Sequence, residues 1–419
     1  MITNRRYELN RSDITGAAEL LERIETAFDE PALRWYVSEA DQDRVVVEST
    51  EYGGELPRTA PGRNPARSGK DVVVSLVPTG IGCSIGGYAG DAAPATALLA
   101  EVADLVVTNP NAVNASNFIR IDERVLYTEG SCIDAFSRGE TNLHRARGNR
   151  VGLIIEKSDA ASVEHILNVT NAVRAVHGVD VVDYVVTEEP IGSRCVRNAS
   201  GAYVGSVDSP DVLLKASRQL IERGANAIAV TTNVQDLVTD DYSAHFSGNE
   251  ANPVGGVEAI ISHLIVKVLG VPAAHAPMIN FKDLALDQAV VDARSAGEIV
   301  STSGLACILI GLAGAPQMRS DIGGARLSDE LTMDDVVAVV APAGALGGVP
   351  VLEALSRRIP VIAVRGNDTI LDVTADRLGL PGVVEVSTYP EAAGVIAALR
   401  AGISLDSLVR PMRTLGRSE

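Results

Sequence analysis

From Asp71 onward, short runs rich in Val, Ile and Ala alternate with stretches of helical length. An apolar run of strand length without polar alternation reads as a strand covered on both faces. Such strands, separated by helix-length segments, form βα units and a mostly parallel sheet. The runs predict strands near 71–77, 104–108, 124–128, 151–155, 180–186, 226–231, 271–274, 336–341, 360–364 and 382–386. Helices are predicted near 92–103, 159–175, 210–223, 255–269, 349–357 and 390–401. The stretch 305–312 fits a strand or a buried helix equally well. The expected fold class is α/β, with mostly parallel, doubly wound sheets of Rossmann-like type in two lobes, 71–253 and 254–403. Hydrophobic residues make up 46% of the chain and aromatics only 4%, so the core must be built from Ala, Val, Leu and Ile.

Ahead of this region, residues 13–28 predict a helix capped by Asp13, with Ala17, Leu20, Leu21, Ile24 and Phe28 on one stripe. "LRWYVS" and "RVVVEST" predict two short strands. Residues 1–52 are therefore expected to form a small N-terminal α/β appendage. Residues 53–70 lack periodicity and read as a linker, and 404–419 as a C-terminal tail. The polar stretches 233–252 and 314–330 predict surface loops.

The net charge of −18 argues against nucleic acid as a partner, because phosphate binding needs a basic face. It does not exclude a small anion, which a single Arg or a helix N-terminus can hold. The N-terminus "MITNRRYELN" lacks the apolar core of a secretory signal. The longest apolar run, "LACILIGLAGAP", falls short of the ~18 residues of a membrane helix. Four dispersed cysteines without a CxxC fit free thiols in a reducing compartment. The expected location is the cytoplasm, with no membrane partner.

Open parallel sheets bind ligands beyond the carboxyl ends of their strands. After the first run, Thr79, Gly80 and Gly82 open a glycine-dense loop that ends at Asp91. The loop is out of phase with GxGxxG, since Ile85 stands where the third glycine belongs, and it lacks a Walker lysine. It still offers several backbone N–H groups to a small anion, with a helix N-terminus behind them. Asp91 reads equally well as that helix's N-cap. Asn111 and Asn114 follow the second run, and Glu129 the third. Glu188 precedes Pro190 after another run. "PAGALGG" places Gly347 and Gly348 between a strand and a helix, and Arg365 and Asn367 follow the next run. His275 follows a strand and precedes Pro277, where an imidazole suits acid–base work.

The helix predicted over 255–269 is apolar almost all round, with Glu258 and Ser262 on one side. His263 is rotated from Glu258 by roughly 140° at helical pitch. Glu258, His263 and His275 form an alternative metal trio, but HExxH spacing is absent and no metal is expected. Cys83 and Cys195 would suit a two-thiol racemase, yet read more simply as small residues.

"PTGIGCSIGGYAGD", "NAVNAS", "YTEGSCID", "VTEEPIG", "VDSPDVLL", "NPVGGVEAIISH", "AHAP", "GLAGAPQ" and "VVAPAGALGGVPVLEALSRRIPVIAVRGN" together resemble a bacterial family of unknown function with cyanobacterial and actinobacterial members. The resemblance spans about 71–403 and implies that these segments are the family's framework. It brings no activity. In that family the positions of Cys83, Cys132 and Cys195 often hold other residues, which counts against the two-thiol scheme.

The resulting expectation is an enzyme of isomerase, lyase or hydrolase type, without a cofactor, acting on a small carboxylate- or phosphate-bearing metabolite. His275 and Glu188 would handle protons, with Glu129 in reserve. Thr79, Gly80, Gly82, Asp91, Asn111, Gly347, Gly348 and Asn367 would bind substrate, and Asn114 and Arg365 would grip its carboxylate. The alternative is a non-catalytic sensor or carrier of a nucleotide-like anion. A homo-oligomer is compatible with either.

Overall fold

The structure is a computed structural model that describes residues 1–57, 67–77, 92–109, 122–235, 239–278, 290–300, 304–319 and 330–415. The chain opens with β1 (Ile2–Asn10), α1 (Ala17–Ala27), β2 (Ala32–Ala40) and β3 (Arg44–Tyr52). β3 lies between β1 and β2, antiparallel to both. β1 escaped the sequence reading because "ITNRRYELN" has neither an apolar run nor strict alternation. It is the half-exposed edge of its sheet, where charged residues suit a strand that should not recruit another chain.

This module is more than an appendage. β3 is buried from Val45 to Tyr52 on both faces. The apolar stripe of α1 (Ala17, Leu20, Leu21, Ile24) joins Leu33, Trp35, Val37 and Val47 in the main core. The polar part of the sheet is also covered. Tyr36 Oη donates to Glu48, which also accepts from Asn198 Nδ2 at 2.5 Å and Ser200 Oγ at 3.1 Å. The buried Arg34 guanidinium lies 5.1 Å from the centre of the Tyr36 ring.

The body begins with β4 (Val72–Ser75), α2 (Ala92–Glu101), β5 (Leu105–Thr108) and β6 (Val125–Tyr127). α3 (Gly130–Arg138) and β7 (Asn142–His144) follow. A second unit then runs through β8 (Arg150–Ile155), α4 (Ala160–His177) and β9 (Asp180–Val186). A hairpin of β10 (Ser193–Arg197) and β11 (Tyr203–Val207) leads to α5 (Pro210–Glu222) and β12 (Ala227–Thr232). Next come α6 (Thr239–Phe246), α7 (Gly255–Leu269) and β13 (Ala273–Pro277). After α8 (Ala293–Val300) and α9 (Gly304–Ala313), β14 (Gln317–Arg319) and β15 (Glu330–Leu331) flank β7 in a small antiparallel sheet. The chain then returns through β16 (Val336–Pro342), α10 (Val349–Ser356), β17 (Val361–Val364), α11 (Ala375–Leu378), β18 (Val383–Val386) and α12 (Tyr389–Arg400). The ambiguous stretch 305–312 is helix, in α9.

Two all-parallel sheets result. The larger has the order β18-β17-β16-β4-β5-β6. Read from β6 this is the Rossmann order, with strands reversing direction of addition between β4 and β16. The smaller has the order β13-β12-β8-β9. The sheets do not follow the expected lobe boundary at 253–254, because the larger takes strands from both sides of it and the smaller is inserted between β6 and β16. Side chains alternate between faces. Val72, Val74, Ile154 and Ile228 therefore feed one apolar layer, while Val73, Val106, Leu153 and Ala229 feed the other. Each layer spans both sheets.

The second glycine loop has a definite task. Val37 N–H of β2 donates to Gly347 O at 3.0 Å. A Cβ on Gly347 would stand 2.4 Å from Val37 Cβ and 3.1 Å from Val37 O. Gly348 is the N-cap of α10. The backbone expected to cradle a substrate anion instead receives the N-terminal module. Gly347→Ala should therefore lower stability by about 1–3 kcal/mol, the usual cost of overpacking a filled site. Urea unfolding measures this, and an unchanged midpoint would show that the contact carries no strain.

Candidate functional site

The chemistry-bearing side chains gather where edge strand β6 of the larger sheet and edge strand β13 of the smaller one are joined by α7 and α9. β13 presents His275, whose side chain is fully buried. Its Nε2 lies 2.9 Å from Thr232 Oγ1 at the end of β12, and Thr232 Oγ1 lies 2.7 Å from Ser193 Oγ. Ser193 Oγ donates to Asn233 O at 3.2 Å. That last bond orders the chain: Ser193 accepts from Thr232, and Thr232 accepts from a proton on Nε2. Nδ1 then faces Glu258 Oε1 at 3.6 Å. The imidazole and the carboxylate therefore stand side by side, close enough to pass a proton after a small movement. Glu258, in the first turn of α7, keeps 22% of its side chain open to solvent.

The second pair starts at the end of β6. Glu129 is the N-cap of α3, accepting from Ser131 N at 2.9 Å and Cys132 N at 3.3 Å through Oε2. Its Oε1 accepts from Ser262 Oγ at 3.1 Å and lies against His263 Nδ1. The helix dipole favours the anion at this position. Both side chains are buried. Gly130 makes room for the imidazole, since a Cβ there would come within 3.0 Å of His263 Cε1. Tyr127, the last residue of β6, lies between the two pairs, with its ring against Gly311 of α9. Burial first, then Cys307, Glu258 and Glu129, hold its phenol well above the usual range.

A further carboxylate, missed in the sequence, steadies this arrangement. Glu156 follows β8 and is buried. Its Oε1 accepts from Ile191 N and from Gly192 N at 3.0 Å, and its Oε2 from Asn233 N at 2.6 Å. It thereby holds both ends of the Ser193–Thr232 segment. It also fills the gap between β8 and β12 where the smaller sheet's strand order reverses, the usual ligand crevice. The strand-end rule would have found Glu156 had it been applied to the run 151–155. Tyr127 ends a predicted strand inside "YTEGSCID" and gave no chemical signal of its own.

The other expected residues lie elsewhere. Glu188 has 88% of its side chain exposed and pairs with Lys215 at 3.6 Å. It follows β9, three strand spacings from His275, or roughly 14 Å. Arg365 is exposed and bound to Glu385 at 3.3 Å and Ser387 at 3.0 Å. Asn367 donates to Tyr389 Oη at 2.7 Å. Both follow β17, four spacings from β6, or roughly 19 Å. The described residues thus split the expected hollow: His275 stands apart from Glu188 and Arg365. Thr79, Gly80, Gly82, Cys83, Asp91, Asn111 and Asn114 lie outside the described residues. The trio Glu258, His263 and His275 is not a ligand set, because each histidine turns to its own carboxylate. No group of three or more His, Cys, Asp or Glu among the described residues is placed to hold a metal. Cys132 and Cys307 are free, buried thiols.

Near the second pair, Asp134 is buried and its Oδ1 has no hydrogen-bond partner among the described residues. Burial raises its carboxyl to about 6, opposed by Arg138, His263 and Lys267. A proton is therefore held more tightly in the folded chain than in the unfolded one. The stability this brings is complete below about pH 4 and is lost as pH rises through about 6. Other carboxylates titrate in the wild type and in Asp134→Asn alike, so their difference isolates the effect. Unfolding free energies of the two chains should diverge between pH 4 and 7 by on the order of 3 kcal/mol. Parallel pH profiles would show that Asp134 is not held in this way.

Residues 72–409 match a family described as "Protein of unknown function (DUF3326)". An uncharacterized lipoprotein of a Synechococcus strain is 38% identical over 339 residues, covering 79% of this chain and 91% of that protein. A solved structure, the ligand-free, open form of a substrate binding protein with adhesive properties from Clostridium difficile, covers 76% of this chain and 99% of its own, at 11% identity and a TM-score of 0.17. The lipoprotein name of the Synechococcus relative overturns the expected cytoplasmic location, since it points to a membrane-anchored protein outside the cytoplasm. No described helix is long and apolar enough to cross a membrane. Four-fifths of the chain, the part that carries both histidine–carboxylate pairs, belongs to the DUF3326 family.

Proposed function

We propose that this protein is an enzyme that moves a proton on a small carboxylate- or phosphate-bearing molecule, in an isomerase, lyase or hydrolase reaction without a redox cofactor. The observation that carries this reading is the Glu258–His275 pair. The imidazole is sealed on its Nε2 side by Thr232 and Ser193, and its Nδ1 side faces a carboxylate that reaches solvent. Glu258 takes or gives the substrate proton, and His275 holds it between steps. Such paired acid–base groups contribute about 10²–10⁴-fold to rate. Tyr127, kept protonated, is a neutral donor beside them. The location that accompanies this reading is that of the named relative, anchored at a membrane outside the cytoplasm.

A second reading rests on the glycine-dense sequence 80–90 between β4 and α2. There the chain is a sensor or carrier of a nucleotide-like anion and performs no chemistry. Pooled small carboxylates and phosphates, screened by thermal shift, test both. A true ligand at 100 times its dissociation constant adds about 2.7 kcal/mol of stability. Hits are then incubated in D₂O and followed by proton NMR. The enzyme reading expects exchange or conversion that falls about a hundredfold or more in Glu258→Gln and His275→Asn while binding is largely kept. Binding without any exchange supports the carrier. If no acid or phosphate raises the melting temperature, both readings fail.

A further inference from the structure

The Glu129–His263 pair is split between two helices. Glu129 caps the start of α3, and His263 sits in the third turn of α7. Their contact survives only if both helices keep their positions. Each helix is tied further along to the N-terminal module. In the last turn of α3, Arg138 binds Glu25 of α1 through Nε at 3.1 Å and Nη2 at 2.8 Å. In the last turn of α7, one turn beyond His263, Lys267 Nζ donates to Ala32 O at the start of β2 at 2.8 Å. Asp134 lies inside this frame, acted on by Arg138, His263, Lys267 and Glu129. A third tie comes from the body, where Arg357 Nη2 donates to Arg138 O at 2.8 Å. Residues 1–52 lie outside the stretch that matches the family, 72–409, yet they hold both helices of the pair.

We infer that the N-terminal module is a positioning element of the candidate site, acting through Arg138 on α3 and Lys267 on α7 to keep Glu129 against His263. For its consequence in turnover this rests on the acid–base reading. The contact itself can be tested without any substrate.

The full chain has six histidines, few enough for selective ¹⁵N-histidine labelling and assignment by single His→Gln variants. The His263 Nδ1 proton facing Glu129 is buried and should exchange slowly with water. In Arg138→Met its exchange should speed by about tenfold or more, the response of a local opening. Arg138→Lys, which keeps the charge, should restore most of the protection. The His275 Nε2 proton, held by strand-borne Thr232, should change by less than about twofold, since distant sites respond independently. Glu25→Gln, a change at a half-exposed end of the tie, provides a gentler version if Arg138→Met fails to fold. Unchanged exchange at His263 in a folded Arg138→Met or Glu25→Gln overturns the inference. Equal loss at both histidines also overturns it, because that is general loosening. Turnover plays no part in these readouts, so failure of the acid–base reading leaves them interpretable.

Discussion

Everything in this molecule follows from strands that are apolar on both faces. A parallel strand such as β4 or β16 has no solvent side, so each face of each sheet needs a cover. The alternation of side chains divides the strand residues into two sets, and each set merges with helices into one continuous apolar layer. One layer is completed by α2, α4, α9 and α12, the other by α1, α3, α5, α7 and α10 with the N-terminal sheet. The N-terminal module is thus recruited by the same requirement that builds the rest. It finishes a layer that the family's own stretch leaves open around α7 and α10.

Among the described residues, the two histidine–carboxylate pairs do not lie at the points where the sheets reverse strand order. Both sheets reverse strand order at a point where such folds commonly hold a ligand. In the smaller sheet Glu156 occupies that crevice with three backbone N–H groups. In the larger one the loop after β16 is closed by Val37 on one side and by Leu346 N bonding to Val373 O on another. The two pairs lie at the seam between the sheets, where α7 sets Glu258 beside His275 of β13 and His263 beside Glu129 after β6. A helix offers residues five apart on different faces. That angle is why one short stretch of α7 serves two separate carboxylate–histidine pairs rather than one chelate.

Parts of this site were legible beforehand. Glu129 stands just past the end of β6, where the strand-end rule placed it, whereas His275, picked out by the same rule, lies in the middle of β13 because that strand runs on to Pro277. Glu258 and His263 were visible as polar interruptions of an apolar helix. What could not be read was partnership. Nothing in the spacing of Glu129 and His263 joins them, because they are 134 positions apart and meet only when α3 and α7 pack. Glu188 and Arg365 satisfied the same strand-end rule, yet one follows an outer strand and the other lies on the far half of the larger sheet. The rule gives the end of the sheet and says nothing of which strand.

The sequence alone determined the strands of the two parallel sheets and several of their helices: α7 runs from 255 to 269 as its apolar pattern predicts, and every predicted strand is present within a few residues, while α3, α6 and the small antiparallel strands gave no such signal. These are outcomes of short-range patterning, since an apolar run and its flanking breakers lie side by side in the chain. The tertiary structure decided the rest. It nested the smaller sheet between β6 and β16 and gave Gly347 to Val37. It also set Glu258 against His275, and Glu129 against His263. Strand order and side-chain partnership depend on contacts between distant residues, whose energies enter only when the layers close. No local pattern encodes them.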